Sequence, residues 1–246
     1  MVGLTEQKAA EILSPKPAAE ARVAPLGIAG RLGVLALTVW VMIGAFVIAP
    51  PAQGFQNEAL ARMLFFHVPN SITGTVVSTL SAWFALRFLI CRRWIEDVRS
   101  KALASLAMLF WLLTTATGAV FAKVEWGVYW NWDPKQSAIF VLLLLYLAYF
   151  ALRAGISDPD KQATIAAAYT LFAAVTVPFL TYILPNSTPQ TLHPKGVIWT
   201  SGGMDATYKL IFWSAAASSL GMAAWMYRIL VRADIVARAV DRRLTT

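Results

Sequence analysis

Six long apolar runs divide this chain. They lie at 32–48, from just after Phe65 to near Leu89, and at 102–122, 137–152, 163–184 and 208–231, and each gap between them is short, charged or broken by Pro and Gly. A helix of about 20 residues at roughly 1.5 Å per residue covers about 30 Å, the thickness of the hydrocarbon layer of a bilayer. With 58% hydrophobic residues, 14% charged residues and a mean hydropathy of +0.60, the chain carries more apolar surface than a water-facing domain can hide. In lipid every backbone N–H and C=O must be paired within the segment, so runs of this length become helices. The predicted class is an all-α integral membrane protein of six transmembrane helices.

An even number of spans places both termini on one side, and the basic residues say which. The side of the termini carries Lys8, Lys16, Arg22 and Arg31, then Arg87, Arg92, Arg93, Arg99 and Lys101, then Arg153 and Lys161, then the five arginines from Arg228 to Arg243. The other side holds Arg62, Lys123, Lys135, Lys195 and Lys209, a ratio of sixteen to five. Basic residues concentrate in cytoplasmic loops, so both termini are expected in the cytoplasm, and the loop between spans three and four on the outer side of the membrane. The net charge of +8 therefore reads as a topology signal beside the apolar runs, and no nucleic-acid partner is expected. Residues 1–30 read as a cytoplasmic tail. The first apolar run comes too late and is too long for a signal peptide, although the small residues near Ala49 and Ala52 make cleavage a point to check. Pro50 and Pro51 stop the first span, a bend is expected at Pro178 in the fifth, and 185–205 is too polar and broken for lipid contact.

The gap between spans three and four reads Trp126-Gly127-Val128-Tyr129-Trp130-Asn131-Trp132-Asp133-Pro134-Lys135. Two readings stand. Trp and Tyr favour the membrane interface, so these rings can form an aromatic belt; their density also fits a platform for a flat ligand. The chain's two histidines, His67 and His193, fall on the same predicted side, in the segments flanking that gap. Either alone reads as a solvated or hydrogen-bonded side chain. Together, beside clustered aromatic rings, they fit haem, with a nitrogen ligand on each side of the iron. Zinc fits less well, because it needs three or four ligands and Cys91 lies on the opposite side. That single cysteine excludes an internal disulfide, and no C-x-x-C-H stretch exists to attach haem covalently, so haem b is expected to be held non-covalently and transiently. Asp133 reads as the N-cap of the next helix, with Pro134 at the first helical position and Gln136 where a capping-box partner sits, or as a direct ligand contact. Arg62 and Lys135 read as partners for haem propionates or as ordinary snorkelling cations.

The pattern Trp126-Gly127-x-x-Trp130-x-Trp132-Asp133 resembles the WWD signature of haem-handling proteins in cytochrome c maturation. Phe66-His67-Val68-Pro69, with Arg62 five residues before the histidine, and Thr191-Leu192-His193 resemble the flanking segments of the CcmC family, and the likeness runs from about Arg31 to Arg232. The larger CcmF and CcsA relatives are implied to carry more spans or more histidines. Tyr129 stands where CcmC commonly has another tryptophan, and Pro134-Lys135-Gln136 is closer to the CcsA ending. The resemblance implies a six-helix haem-handling domain over 31–232 with a cytoplasmic tail at 233–246. It further implies His67 and His193 as axial ligands over the Trp126, Gly127, Tyr129, Trp130, Trp132 and Asp133 loop, delivery of haem to the chaperone CcmE, and CcmD and the CcmA/CcmB ABC transporter as partners. Lys135 becomes the implied propionate partner. The alternatives are a CcsA/CcmF-like haem lyase component or a transporter of haem or another solute. Coupled transport calls for ionisable residues at mid-membrane, which the six runs essentially lack. An acid–base enzyme on the outer face calls for a nucleophile or paired carboxylates, and the sequence offers no such constellation, so no catalytic residue is expected.

Overall fold

The computed structural model describes residues 23–193 and 203–244. Residues 1–22 of the expected N-terminal tail, residues 194–202 of the expected loop after span five, residues 245–246 and the side chains of Arg242 and Arg243 lie outside the described residues. Six helices are long and apolar enough to cross a membrane, and no strand occurs among the described residues. They are α1 (Ile28–Ile43), α2 (Leu64–Cys91), α3 (Trp94–Trp126), α4 (Pro134–Gly155), α5 (Pro159–Pro178) and α6 (Ala206–Leu244). Wider, π-helical winding prolongs α1 over Gly44–Ile48 and α5 over Phe179–Ile183, and the turn Leu184–Ser187 completes the fifth span. Pro178 thus sits where the regular ladder gives way, as expected of a residue without an N–H.

Among the six long helices, α2 lies at the centre. It packs along α3 and also touches α5 and α6, while α4 leans on α3 and α5, and α1 is held mainly by α6. Lipid tails are as apolar as leucine, so helices here associate through close approach and interhelical hydrogen bonds. Both are visible. A Cβ on Gly44 would lie 3.0 Å from Ile211, and one on Gly74 would lie 3.1 Å from the indole of Trp111. Thr38 and Ser218 share a hydrogen bond of 2.8 Å, and Trp40 Nε1 donates to Ser214 at 3.2 Å, which ties α1 to α6. Trp111 is fully buried, and its Nε1 donates to Ser78 Oγ, which also accepts from Tyr146 OH at 2.7 Å. Polar atoms in this core are therefore matched.

The helices outrun the apolar stretches that announced them. Between Arg87 and Lys101, expected as a loop, only Arg92 and Arg93 lie outside helix, and Arg92 takes the left-handed conformation (φ 52°) that lets its N–H cap the Phe88 carbonyl at 2.8 Å. Hydropathy marks where lipid ends, not where the helix ends. Beyond that level the winding is kept by charges that meet across helices. Arg153 donates to both oxygens of Asp97, Arg87 and Arg99 flank Glu96, and Lys101 and Arg238 hold Asp234. Glu96 and Asp97 also fall in the first turn of α3, where the helix dipole favours negative charge.

Candidate functional site

At the end of the bundle opposite these ion pairs, α3 stops at Gly127. Its left-handed φ of 77° turns the chain, its N–H bonds the Lys123 carbonyl, and Lys123 Nζ in turn holds the Gly127 carbonyl at 2.7 Å. Six residues later Asp133 opens α4. It accepts the N–H of Lys135 at 2.9 Å, with Pro134 at the first helical position, so the expected cap is formed. Gln136 braces the loop from below: it accepts from the Asn131 N–H at 2.9 Å and donates to the Tyr129 carbonyl, two positions back from where a capping box would close. Trp132, just before the cap, sits at φ 60°, an unusual conformation for a bulky residue, and is exposed. The loop is held in one shape and presents its rings outward.

The two histidines arrive from different elements. His67 is in the first turns of α2, and its Nδ1 lies 3.0 Å from the Thr114 carbonyl on α3. A carbonyl only accepts, so Nδ1 carries the proton and Nε2 carries the lone pair. The ring is wedged over Gly118, where a Cβ would lie 2.6 Å from His67 Cε1. His193 follows the fifth span on irregular chain, and its Nδ1 lies 2.8 Å from Asp133 Oδ1. Asp133 also accepts from the Thr191 hydroxyl at 3.1 Å and the Leu192 N–H at 2.7 Å. Burial pushes the Asp133 carboxyl up, but the Leu192 and Lys135 N–H groups, His193 and Thr191 outweigh it and hold it below the usual carboxylate range. Burial also pushes the His193 imidazole below its ordinary value, with Lys135 acting the same way and Asp133 only partly offsetting both. At neutral pH the pair is a neutral imidazole donating Nδ1–H to a carboxylate. Both rings thus carry the proton on Nδ1, and neither Nε2 bonds a described residue.

The structure brings part of the expected set together. The Trp126 indole meets the His193 ring edge-on at 5.0 Å. The remaining aromatics form a second group: Trp130 and Trp132 are perpendicular with centroids 5.7 Å apart, Trp132 meets Phe140 edge-on, and Tyr129 lies beneath Lys123. Arg62 points elsewhere, with Nη1 3.2 Å from the Phe46 carbonyl at the end of the first span. Three contributors were not singled out from the sequence. Thr191 stands two residues before a histidine, a spacing that suits a shared acceptor. Gly118 showed only as a gap in an apolar run, and Glu125 only as a charge at a span end. Glu125 is buried, accepts the Gln56 N–H at 2.9 Å and so ties the segment before α2 to α3. Among the described residues no group of three or more His, Cys, Asp or Glu could hold a bare metal ion.

Comparison with known proteins follows the same lines. The family described as Heme exporter protein C (CcmC) matches residues 15–246. A Heme exporter protein C of Bradyrhizobium diazoefficiens is 30% identical over 168 residues, which is 68% of this chain and 63% of that protein. The Paracoccus denitrificans protein of the same name is 27% identical over 179 residues, 72% of this chain and 73% of its own length. The Escherichia coli K12 protein is 28% identical over 150 residues, 61% of this chain and 60% of its own. The chain thus spans less than two thirds of the first and third of these relatives.

Proposed function

This chain belongs to the Heme exporter protein C family, and on that premise we propose that it binds haem at the tryptophan end of its bundle and delivers it for c-type cytochrome maturation. The single observation that carries this reading is the shared tautomer: two imidazoles from separate segments, each with Nδ1–H occupied by a protein oxygen and Nε2 bonded to no described residue. That is the donor arrangement for haem iron with two axial nitrogens. Trp126, Tyr129, Trp130 and Trp132 supply ring faces for the macrocycle on a loop shaped by Gly127, and Lys135 pairs with a propionate. Arg62 serves a second propionate only by releasing the Phe46 carbonyl.

Haem is cargo here, bound as haem b without a covalent link, and the protein acts as a delivery factor rather than an enzyme. An open surface with a few reversible bonds suits a site that must release what it binds. The acceptor is the haem chaperone CcmE, with CcmD and the CcmA/CcmB transporter in the same assembly. The basic end faces the cytoplasm and the tryptophan end the periplasm, in the inner membrane.

A visible spectrum of the purified protein tests the site. The expected result is a Soret band with low-spin bands that change in both His67→Ala and His193→Ala. A colourless preparation after haem supplementation, or a double variant with an unchanged spectrum, overturns the reading. Reporter fusions within 126–135 test the orientation, and a cytosolic signal there reverses it.

A further inference from the structure

The two histidines are held in different ways. His67 belongs to the body of α2, bonds a backbone carbonyl of α3 and fills the space that Gly118 leaves open. Displacing it means parting α2 from α3, the most extensive helix contact in the molecule. His193 stands on chain without regular structure. Three groups from consecutive residues converge on Asp133: the Thr191 hydroxyl, the Leu192 N–H and His193 Nδ1, at 3.1, 2.7 and 2.8 Å. The His193 N–H bonds Thr191 Oγ1 at 3.3 Å. Among the described residues, the hydrogen bonds from 191–193 therefore end on Asp133 or within the segment itself. Asp133 is only 5% exposed and anchored in turn as the cap of α4.

Building on the haem reading above, we infer that Asp133 is a positioning residue that closes the His193 segment onto the site, and that His193 is the ligand that lets go first during delivery while His67 keeps hold. One carboxylate does two things. It fixes the imidazole tautomer so that Nε2 faces the iron, and it holds down the only ligand-bearing segment that can lift without unpacking a helix. A buried hydrogen bond from a ligand histidine to a carboxylate also strengthens that ligand. Release then consists of exchanging three hydrogen bonds to water, with no covalent step and no change in the bundle. The Trp126 ring, edge-on to His193, flanks the moving segment and stays on α3.

Haem transfer measures this directly. The full chain in lipid nanodiscs is loaded with ferric haem and mixed with excess apomyoglobin, and the rate at which holomyoglobin appears is followed. Asp133→Ser keeps an N-cap acceptor for α4 but cannot hold residues 191–193, so the bundle should stay folded while transfer runs roughly ten- to a hundredfold faster. His193→Ala should keep haem as a five-coordinate, high-spin adduct on His67, with free imidazole restoring the low-spin spectrum and slowing transfer. His67→Ala should lose its haem on desalting. Wild-type transfer from Asp133→Ser, or haem retained in His67→Ala and lost from His193→Ala, overturns the inference while the haem site itself stands. If no histidine variant alters the spectrum, the site reading fails and takes the inference with it.

Discussion

Asp97 and Asp133 are each 5% exposed and lie at opposite ends of the bundle, but they keep different company. Asp97 is gripped by Arg153 through two hydrogen bonds of 2.8 and 3.0 Å, with Arg238 at 3.8 Å behind it. Both partners are guanidinium groups that stay charged at any physiological pH and sit on helices. Asp133 is surrounded instead by a neutral imidazole, a hydroxyl and two backbone N–H groups, three of these four partners from a segment outside any helix. A carboxylate matched by permanent charge between helices is a staple. A carboxylate matched by neutral donors on a loop can be let go and retaken. The two ends differ in exchangeability rather than in burial, and that separates the part that holds the fold from the part proposed to handle haem.

The sharpest way to break this contrast is to remove both acids in turn. Asp97→Ala leaves the Arg153 guanidinium buried and unpaired, which should cost about 3–5 kcal/mol of stability in detergent unfolding while leaving the haem spectrum of the folded fraction unchanged. A spectrum that changes with Asp97 would show that the staple reaches the site. Next in size is Gly118→Ala. Its new methyl group collides with His67 between two packed helices, so stability should fall by about 1–3 kcal/mol and the low-spin bands should weaken together. A stable Gly118→Ala protein with an unaltered spectrum would mean that His67 is not the fixed ligand.

The smallest expected effect is that of acid. The folded chain holds the His193 value below the ordinary 6.5, so below that pH it binds fewer protons than the unfolded chain, and stability falls as pH drops through 6.5. Asp133, lowered from 3.8, contributes stability above 3.8 that is lost only as pH falls through its lowered value. The protection factor of the Leu192 amide, its exchange rate taken relative to the intrinsic rate at each pH, should therefore fall between pH 7 and about pH 5.5, while the protection of amides around Arg153 holds. An equal loss of protection at both ends would erase the distinction.

Much of this molecule is legible without coordinates. Hydropathy located the six spans, because backbone pairing in lipid leaves a long apolar run no alternative to helix. Counting spans then put His67, His193 and the 126–135 stretch at one end, since each crossing reverses direction. The cap at Asp133 could be read from Asp133-Pro134 alone, since capping is settled within four residues. The lengths of the helices could not. Arg153 read as a topology charge until its partner Asp97, 56 residues away in the chain, was seen to meet it.

The site follows the same division. Residue types and spacing nominated His67, His193, Asp133 and Lys135, because few other positions on that side offer nitrogen donors or charge. Which ring nitrogen is presented, the second role of Asp133, the seat that Gly118 makes for His67 and the turning of Arg62 toward Phe46 all depend on long-range contacts, such as the 60 residues that separate Asp133 from His193. The sequence alone determined where the chain crosses the bilayer and which residues share an end, since both follow from local solvation. Only the tertiary structure decided who bonds whom there, since hydrogen-bond partners are chosen by distances that no local pattern records.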